Sequence, residues 1–203
     1  MLNNINEILA HPSSVFALVG IGILIIAFLY VKNTKMTTKI IVHVGLMIAL
    51  AILFHQIRIY HMPQGGSITL GSMIPLLLIS FCYGPAVGYL AGFIYGIMNL
   101  ILSPYIFHPV QVLFDYPLPY MALGIAGYLK NKFFLSTLLA VSVRFICHFI
   151  SGAVFFASYA PAGTSPYIYS FMFNITYIVP ELIITLLLLK LLPLKTLLTQ
   201  IKP

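Results

Sequence analysis

The strongest constraint on this chain is a succession of apolar runs, each too long and too continuous to sit on a soluble surface. Seven can be read, at residues 14–31, 39–58, 69–82, 85–102, 110–129, 134–158 and 166–192. An α-helix needs about 20 residues to cross the hydrocarbon core of a bilayer, and most runs have that length. The run at 69–82 is short; it either tilts little or borrows length from residues 65–68. With 61% of residues hydrophobic and 6% charged, the chain lacks the polar surface that a soluble domain of its size requires. The expectation is an all-α integral membrane protein that spans a lipid bilayer several times.

Orientation follows from the lysines. If the loop at 32–39 lies in the cytoplasm and the runs alternate, Lys32, Lys35, Lys39, Lys130, Lys132, Lys190, Lys195 and Lys202 all fall inside. Arg58 then sits at an outer helix end and Arg144 within a span. Basic residues favour the cytoplasmic side of membrane helices, so the N-terminus is expected outside and the C-terminus inside. The net charge of +7 is dispersed over the ends of apolar runs rather than gathered into a patch, which argues against nucleic acid as a partner.

A cleaved signal peptide has a basic start and a small-residue cleavage site. Here the residues before the first run carry Glu7 and no Lys or Arg, and the run ends AFLYVK without an A-x-A pattern. It reads as a retained helix. The expected outer loops, at 60–67, 103–111 and 158–166, are rich in Pro, Gly, Tyr and His. Loops of that chemistry at one end of a scaffold are where binding is expected.

The polar residues inside the spans share a depth. Asp115 lies about six residues below the outer end of its run, on the order of 9 Å. His148 lies about ten residues below the end of the next, on the order of 15 Å, and Tyr169 and Asn174 enter the last run from the same side. Arg144, His148, Gly152 and Phe156 stand four apart, which places them along one drifting helix face. Gly152 opens space beside the histidine. Ionisable groups within a membrane face a cavity or pair with one another. Asp115 is the only acid between Glu7 and Glu181, so it is the expected partner of Arg144, while Glu181, next to Pro180, patches the kink that the proline makes. A carboxylate, a histidine and several rings suit a small, flat, cationic solute. Plainer readings stand beside this one: an inert Arg144–Asp115 pair, an interior hydrogen-bonded His148, an interface-belt Tyr169, and Asn174 as a tie between helices.

Gly45 and Ala49, four apart on the second run, let another helix approach closely. Cys82 and Cys147 read as small buried hydrophobes, forming neither a disulfide framework nor a zinc site. No G-x-x-x-x-G-K-[ST], H-E-x-x-H or G-x-S-x-G occurs, so ATP hydrolysis, zinc proteolysis and serine hydrolysis lack their usual devices. No metal site or cofactor is expected.

The segments MPQGGSITLGSMIPLLLISF, HPVQVLFDYPL, RFICHFISGAVFFASYAPAGTSPYIYSFMFN and YIVPELI closely resemble the thiamine-specific substrate-binding components of energy-coupling-factor transporters. The resemblance covers roughly residues 38–192 in unbroken order. It implies a six-helix domain, residues 38–203, preceded by an extra transmembrane helix and loop at residues 1–37. It also implies a subunit of a bacterial cell membrane, without enzymatic activity, that captures thiamine from outside. A transmembrane coupling protein and two ATPase subunits would then use the ATP. Carried onto this sequence, the resemblance implies substrate contacts from Tyr105, Asp115, Tyr116, Arg144, His148, Gly152, Phe156, Tyr169 and Asn174. It implies a lid from Pro63, Gln64, Gly65 and Gly66, and a partner contact from Gly45 and Ala49. Some relatives carry Glu at the position of Asp115, Lys at that of Arg144 and Trp at that of Phe156. A lid tryptophan of some members has no counterpart near Gly66. Two other solute readings remain: a thiamine precursor such as the hydroxymethyl pyrimidine, and a solitary proton-coupled carrier that uses Asp115 and His148 as a relay.

Overall fold

The structure is a computed structural model that describes residues 11–201; Glu7 and Lys202 lie outside that range. Helix α1 (Pro12–Val31) is followed by α2 (Thr38–Gln56), whose first turn is capped by Thr37 accepting from the Ile40 amide at 3.3 Å. The chain then forms a small antiparallel hairpin of β1 (Arg58–His61) and β2 (Ser67–Thr69), with Tyr60 opposite Ile68 and His61 opposite Ser67. Helices α3 (Met73–Tyr83) and α4 (Pro85–Leu102) meet at Gly84, whose φ of 88° turns the chain ahead of Pro85. A broken segment follows: α5 (Pro109–Asp115), α6 (Pro117–Met121) and a 3-10 helix (Ala122–Leu129). Helix α7 (Phe133–Phe155), a 3-10 turn (Ala157–Tyr159), α8 (Pro166–Leu191) and α9 (Leu194–Ile201) complete the chain.

Among the described residues, five helices are long and apolar enough to cross a membrane: α1, α2, α4, α7 and α8. The short third run does not borrow length from residues 65–68, because Ser67–Thr69 is strand. Helix α3 is only 11 residues, and Met73 through Cys82 are all buried. Being walled by protein, it has no lipid to match in length. The fifth run, expected as one span at 110–129, is broken because Pro117 and Pro119 carry no amide hydrogen and their rings crowd the preceding turn. The resulting segment is buried along most of its length.

That broken segment packs against α4 across a seam of glycines. A Cβ at Gly92 would overlap the Tyr120 carbonyl, and one at Gly96 would lie 2.9 Å from the Pro117 Cα. One at Gly88 would lie 2.8 Å from the Gly124 Cα. In lipid, helices associate through close packing rather than a hydrophobic drive. This glycine row therefore sets how deep α6 sits beside α4, and with it the depth of Asp115.

Candidate functional site

A cavity of about 340 Å³ opens beneath the hairpin, between α2, α4, the broken segment, α7 and α8. Its walls include Tyr105, Asp115, Tyr116, Arg144, His148, Gly152, Phe156, Tyr169 and Asn174, and its cover includes Pro63, Gln64, Gly65 and Gly66. Gly45 and Ala49 stay apart from it, exposed on α2, and among the described residues no other segment comes within 4 Å of where a Gly45 Cβ would stand.

Asp115 is delivered by α5. His108 caps that helix by accepting from the Val110 amide at 3.1 Å, and Gln111 accepts in return from the His108 amide at 3.4 Å. Gln111 is fully buried and serves three further partners. Its carbonyl accepts from the Phe107 amide at 3.0 Å, and its amide donates to the Tyr105 carbonyl at 3.1 Å and to Asp115 Oδ2 at 2.5 Å. The other carboxylate oxygen, Oδ1, lies 3.3 Å from His148 Nδ1. With Nδ1 donating to that oxygen, a neutral imidazole keeps an acceptor at Nε2. That atom is buried and has no hydrogen-bond partner among the described residues.

Arg144 does not pair with Asp115. Its NH1 lies 3.3 Å from Glu181 Oε2, both side chains almost fully buried. The guanidinium carbon stands 4.9 Å from the centre of the Tyr120 ring. Glu181 Oε1 accepts from Thr69 Oγ1 at 2.9 Å and from Ser72 Oγ at 3.4 Å. Glu181 therefore ties α8 to α7 and to the root of the hairpin instead of only serving the Pro180 kink. The reason is depth: Arg144 lies one turn below His148 along α7, roughly 6 Å, and there it meets Glu181. Asp115 stays with His148 in the turn above.

Other expected residues have their own ties. Asn174 Nδ2 donates to the Ser170 carbonyl at 2.8 Å and to the His148 carbonyl at 3.3 Å, and Asn174 Oδ1 accepts from Tyr177 at 2.7 Å. It joins α7 to α8 at the cavity wall. Tyr116 accepts from the Tyr105 amide at 2.6 Å and donates to the Ser103 carbonyl at 3.0 Å, pinning the loop after α4. The room beside Gly152 is taken by Ser170, whose hydroxyl donates to the Phe149 carbonyl at 2.7 Å. Gly152 thus serves the close approach of α8. An aromatic wall stands at the hairpin end. The Tyr105 and Phe156 rings stack at 5.9 Å, and Phe107 lies 5.5 Å from Phe156. The Tyr105 hydroxyl is 3.4 Å from that of Tyr159, a hydrogen bond that helps to push its pKa up to about 12. Tyr169 is half-buried, 6.0 Å from the Phe173 ring.

The hairpin tip closes the cavity. Gly65 and Gly66 both adopt positive φ, 85° and 88°, a region open chiefly to glycine. A Cβ at Gly66 would stand 3.0 Å from the Tyr177 ring, so only glycine fits beneath that ring without displacing it. Sequence reasoning missed Gln111, Tyr120, Tyr177, Glu181, His55, Arg58 and His61, all beside or lining this cavity. The H-P-V-Q spacing was the available signal for Gln111, since a glutamine three residues after a cap closes a capping box. Arg58, which donates to Ser103 Oγ at 2.6 Å, carried only the appearance of a helix-end charge.

A helical membrane protein with a polar, aromatic-walled cavity under a hairpin is a membrane-embedded solute-binding protein. The chain belongs to the thiamine transporter protein family (Thia_YuaJ), whose model matches residues 41–201. It is 37% identical over 171 residues to the thiamine transporter ThiT of Bacillus subtilis, covering 75% of this chain and 88% of that protein. It is 27% identical over 122 residues to ThiT of Lacticaseibacillus paracasei, covering 50% of this chain and 61% of that protein. The fold matches the solved structure of ThiT from Listeria monocytogenes with a TM-score of 0.71 at 20% identity, covering 81% of this chain and 97% of that one.

Proposed function

We propose that this chain captures thiamine in the cavity beneath the hairpin and is the substrate-specific subunit of an energy-coupling-factor uptake transporter. The observation that carries the reading is the charge arrangement. Glu181 answers Arg144, so Asp115 is the described carboxylate left without a guanidinium partner. It is held by Gln111 and His148 with its charge available to the cavity. A cationic thiazolium answers that charge, an aminopyrimidine N–H answers the open His148 Nε2, and flat rings answer the Tyr105–Phe156 wall. Membership of a thiamine transporter family supports the same solute.

Transport across the bilayer then needs partners: a transmembrane coupling protein and two ATPase subunits that spend the ATP, with no cofactor in this chain. Residues 38–203 form the substrate-binding domain, and residues 1–37 add an accessory helix and loop. The exposed Gly45–Ala49 face of α2 is the docking surface for the coupling protein. The hairpin end faces outward and the lysine-bearing end faces the cytoplasm, in keeping with basic residues inside. The N-terminus is then outside.

Equilibrium binding of thiamine to the purified chain tests the reading. Saturable binding, with the pyrimidine and thiazole halves each competing weakly, is the expected result. Absence of binding, or equally tight binding of the hydroxymethyl pyrimidine alone, would overturn it.

A further inference from the structure

Helix α1 lies outside the family match, yet it is not a loose anchor. Gly20, the one buried residue of α1, faces the segment that carries the site. A Cβ there would meet Phe114 Cε2 at 3.3 Å, Leu113 Cδ1 at 3.4 Å and Leu118 Cδ1 at 3.6 Å. One turn earlier, Phe16 sets its ring edge-on to Phe114 at 6.0 Å. At the other end of α1, Tyr30 packs edge-on to Tyr89 at 6.0 Å. The helix is thus fixed at both ends against the protein, while half of its residues remain exposed and only Gly20 is fully buried.

The contacted residue, Phe114, immediately precedes Asp115, and only 2% of it is exposed. Helix α5 has 7 residues, too few to hold its own position, since helices this short depend on packing. On one side α5 is held by the Asp115–His148 contact to α7. On the other, Phe114 and Leu113 rest on α1. We propose that α1 is a positioning element of the thiamine site. By seating Gly20 and Phe16 on Phe114, it fixes α5 and so the Asp115 carboxylate, and it raises affinity without touching the ligand. The inference rests on the thiamine reading above.

The test uses the full chain in detergent or nanodiscs. Gly20→Leu pushes α1 off Phe114, and Phe16→Ala removes the ring contact; Gly22→Leu, at a position with nothing within 4 Å, is the control on the same helix. Backbone hydrogen exchange at residues 110–116 is measured without ligand, and thiamine affinity is measured for each variant alone and combined with Asp115→Asn. The expected result is faster exchange and roughly tenfold weaker binding in Gly20→Leu and Phe16→Ala, no change in Gly22→Leu, and a much smaller loss in the Asp115→Asn background. Such non-additivity marks action through a shared group. Unchanged exchange and affinity, or losses that simply add to that of Asp115→Asn, would overturn the inference and leave α1 as an anchor. Should the unmodified chain bind no thiamine, the thiamine reading itself fails. The exchange rates then still decide the brace: faster exchange in the two variants upholds it, and unchanged exchange overturns it.

Discussion

Arg144 and Glu181 form a buried ion pair across α7 and α8, with NH1 3.3 Å from Oε2, one helical turn below the His148–Asp115 contact. The two charge relationships of the site are therefore stacked rather than shared. The lower pair balances its own charge; the upper leaves a carboxylate facing the cavity.

Breaking the lower pair is expected to be costly. Glu181→Gln leaves the Arg144 guanidinium buried without a counter-charge, and such a loss costs about 3–5 kcal/mol. Thermal unfolding in detergent should show a clear fall in melting temperature. The double variant Arg144→Met, Glu181→Leu should recover most of it, because both charges are then gone. Thiamine binding should also weaken in Glu181→Gln, since the released guanidinium is drawn towards Asp115. A single variant as stable as the parent would mean that the pair contributes nothing to the fold.

Asp115→Asn keeps the shape of the side chain and removes its charge. Loss of one partner from a desolvated charge pair costs about 2–5 kcal/mol, so thiamine affinity should fall at least tenfold. Gln111→Leu should have a smaller effect in the same direction, because it leaves the charge but releases Oδ2 from its donor. Isothermal titration of both variants checks the order. Parent-like binding by Asp115→Asn would remove the carboxylate from recognition.

The hairpin tip is held by the Met62 amide on the Gly66 carbonyl at 3.0 Å and by the Gly65 amide on the Met62 carbonyl at 3.3 Å. It covers the cavity with Gly66 close to Tyr177. Thiamine beneath it should slow hydrogen exchange at residues 65–67. Gly66→Ala forces a Cβ into the Tyr177 ring at a positive φ and should speed thiamine release. Exchange that ignores the ligand would make the hairpin a connector only.

Gly45 and Ala49 are exposed on α2, away from the cavity. Gly45→Trp or Ala49→Trp should leave thiamine binding by the isolated chain unchanged, since both positions are exposed and, among the described residues, no other segment comes within 4 Å of a Cβ at Gly45. Either variant should abolish uptake in cells that supply the coupling protein and the ATPases, and pull-downs should show assembly lost. His148→Ala should do the reverse, weakening binding while assembly persists. Tryptophan variants that assemble and transport normally would place the partner on another face.

Much of this protein is determined by its sequence alone. Apolar run lengths define its class, because a bilayer admits few other solutions for such residues. The lysines gather at the ends of the runs or beyond them, and the four-residue spacing of Arg144, His148 and Gly152 puts them on one face of α7 because of the helical period. Tertiary structure decided which groups meet. Counting acids along the chain matches Arg144 to Asp115, but pairing between helices depends on their relative depth, and depth is set by packing such as the Gly88, Gly92 and Gly96 seam. Run length alone passes over the break that Pro117 and Pro119 make locally. Periodicity could not reveal that α3 is sheathed in protein and needs no spanning length, or that Gly20 lies against Phe114. Each of these depends on contacts between segments distant in sequence, and the hydrophobic pattern of one segment carries no information about its neighbour's axial position.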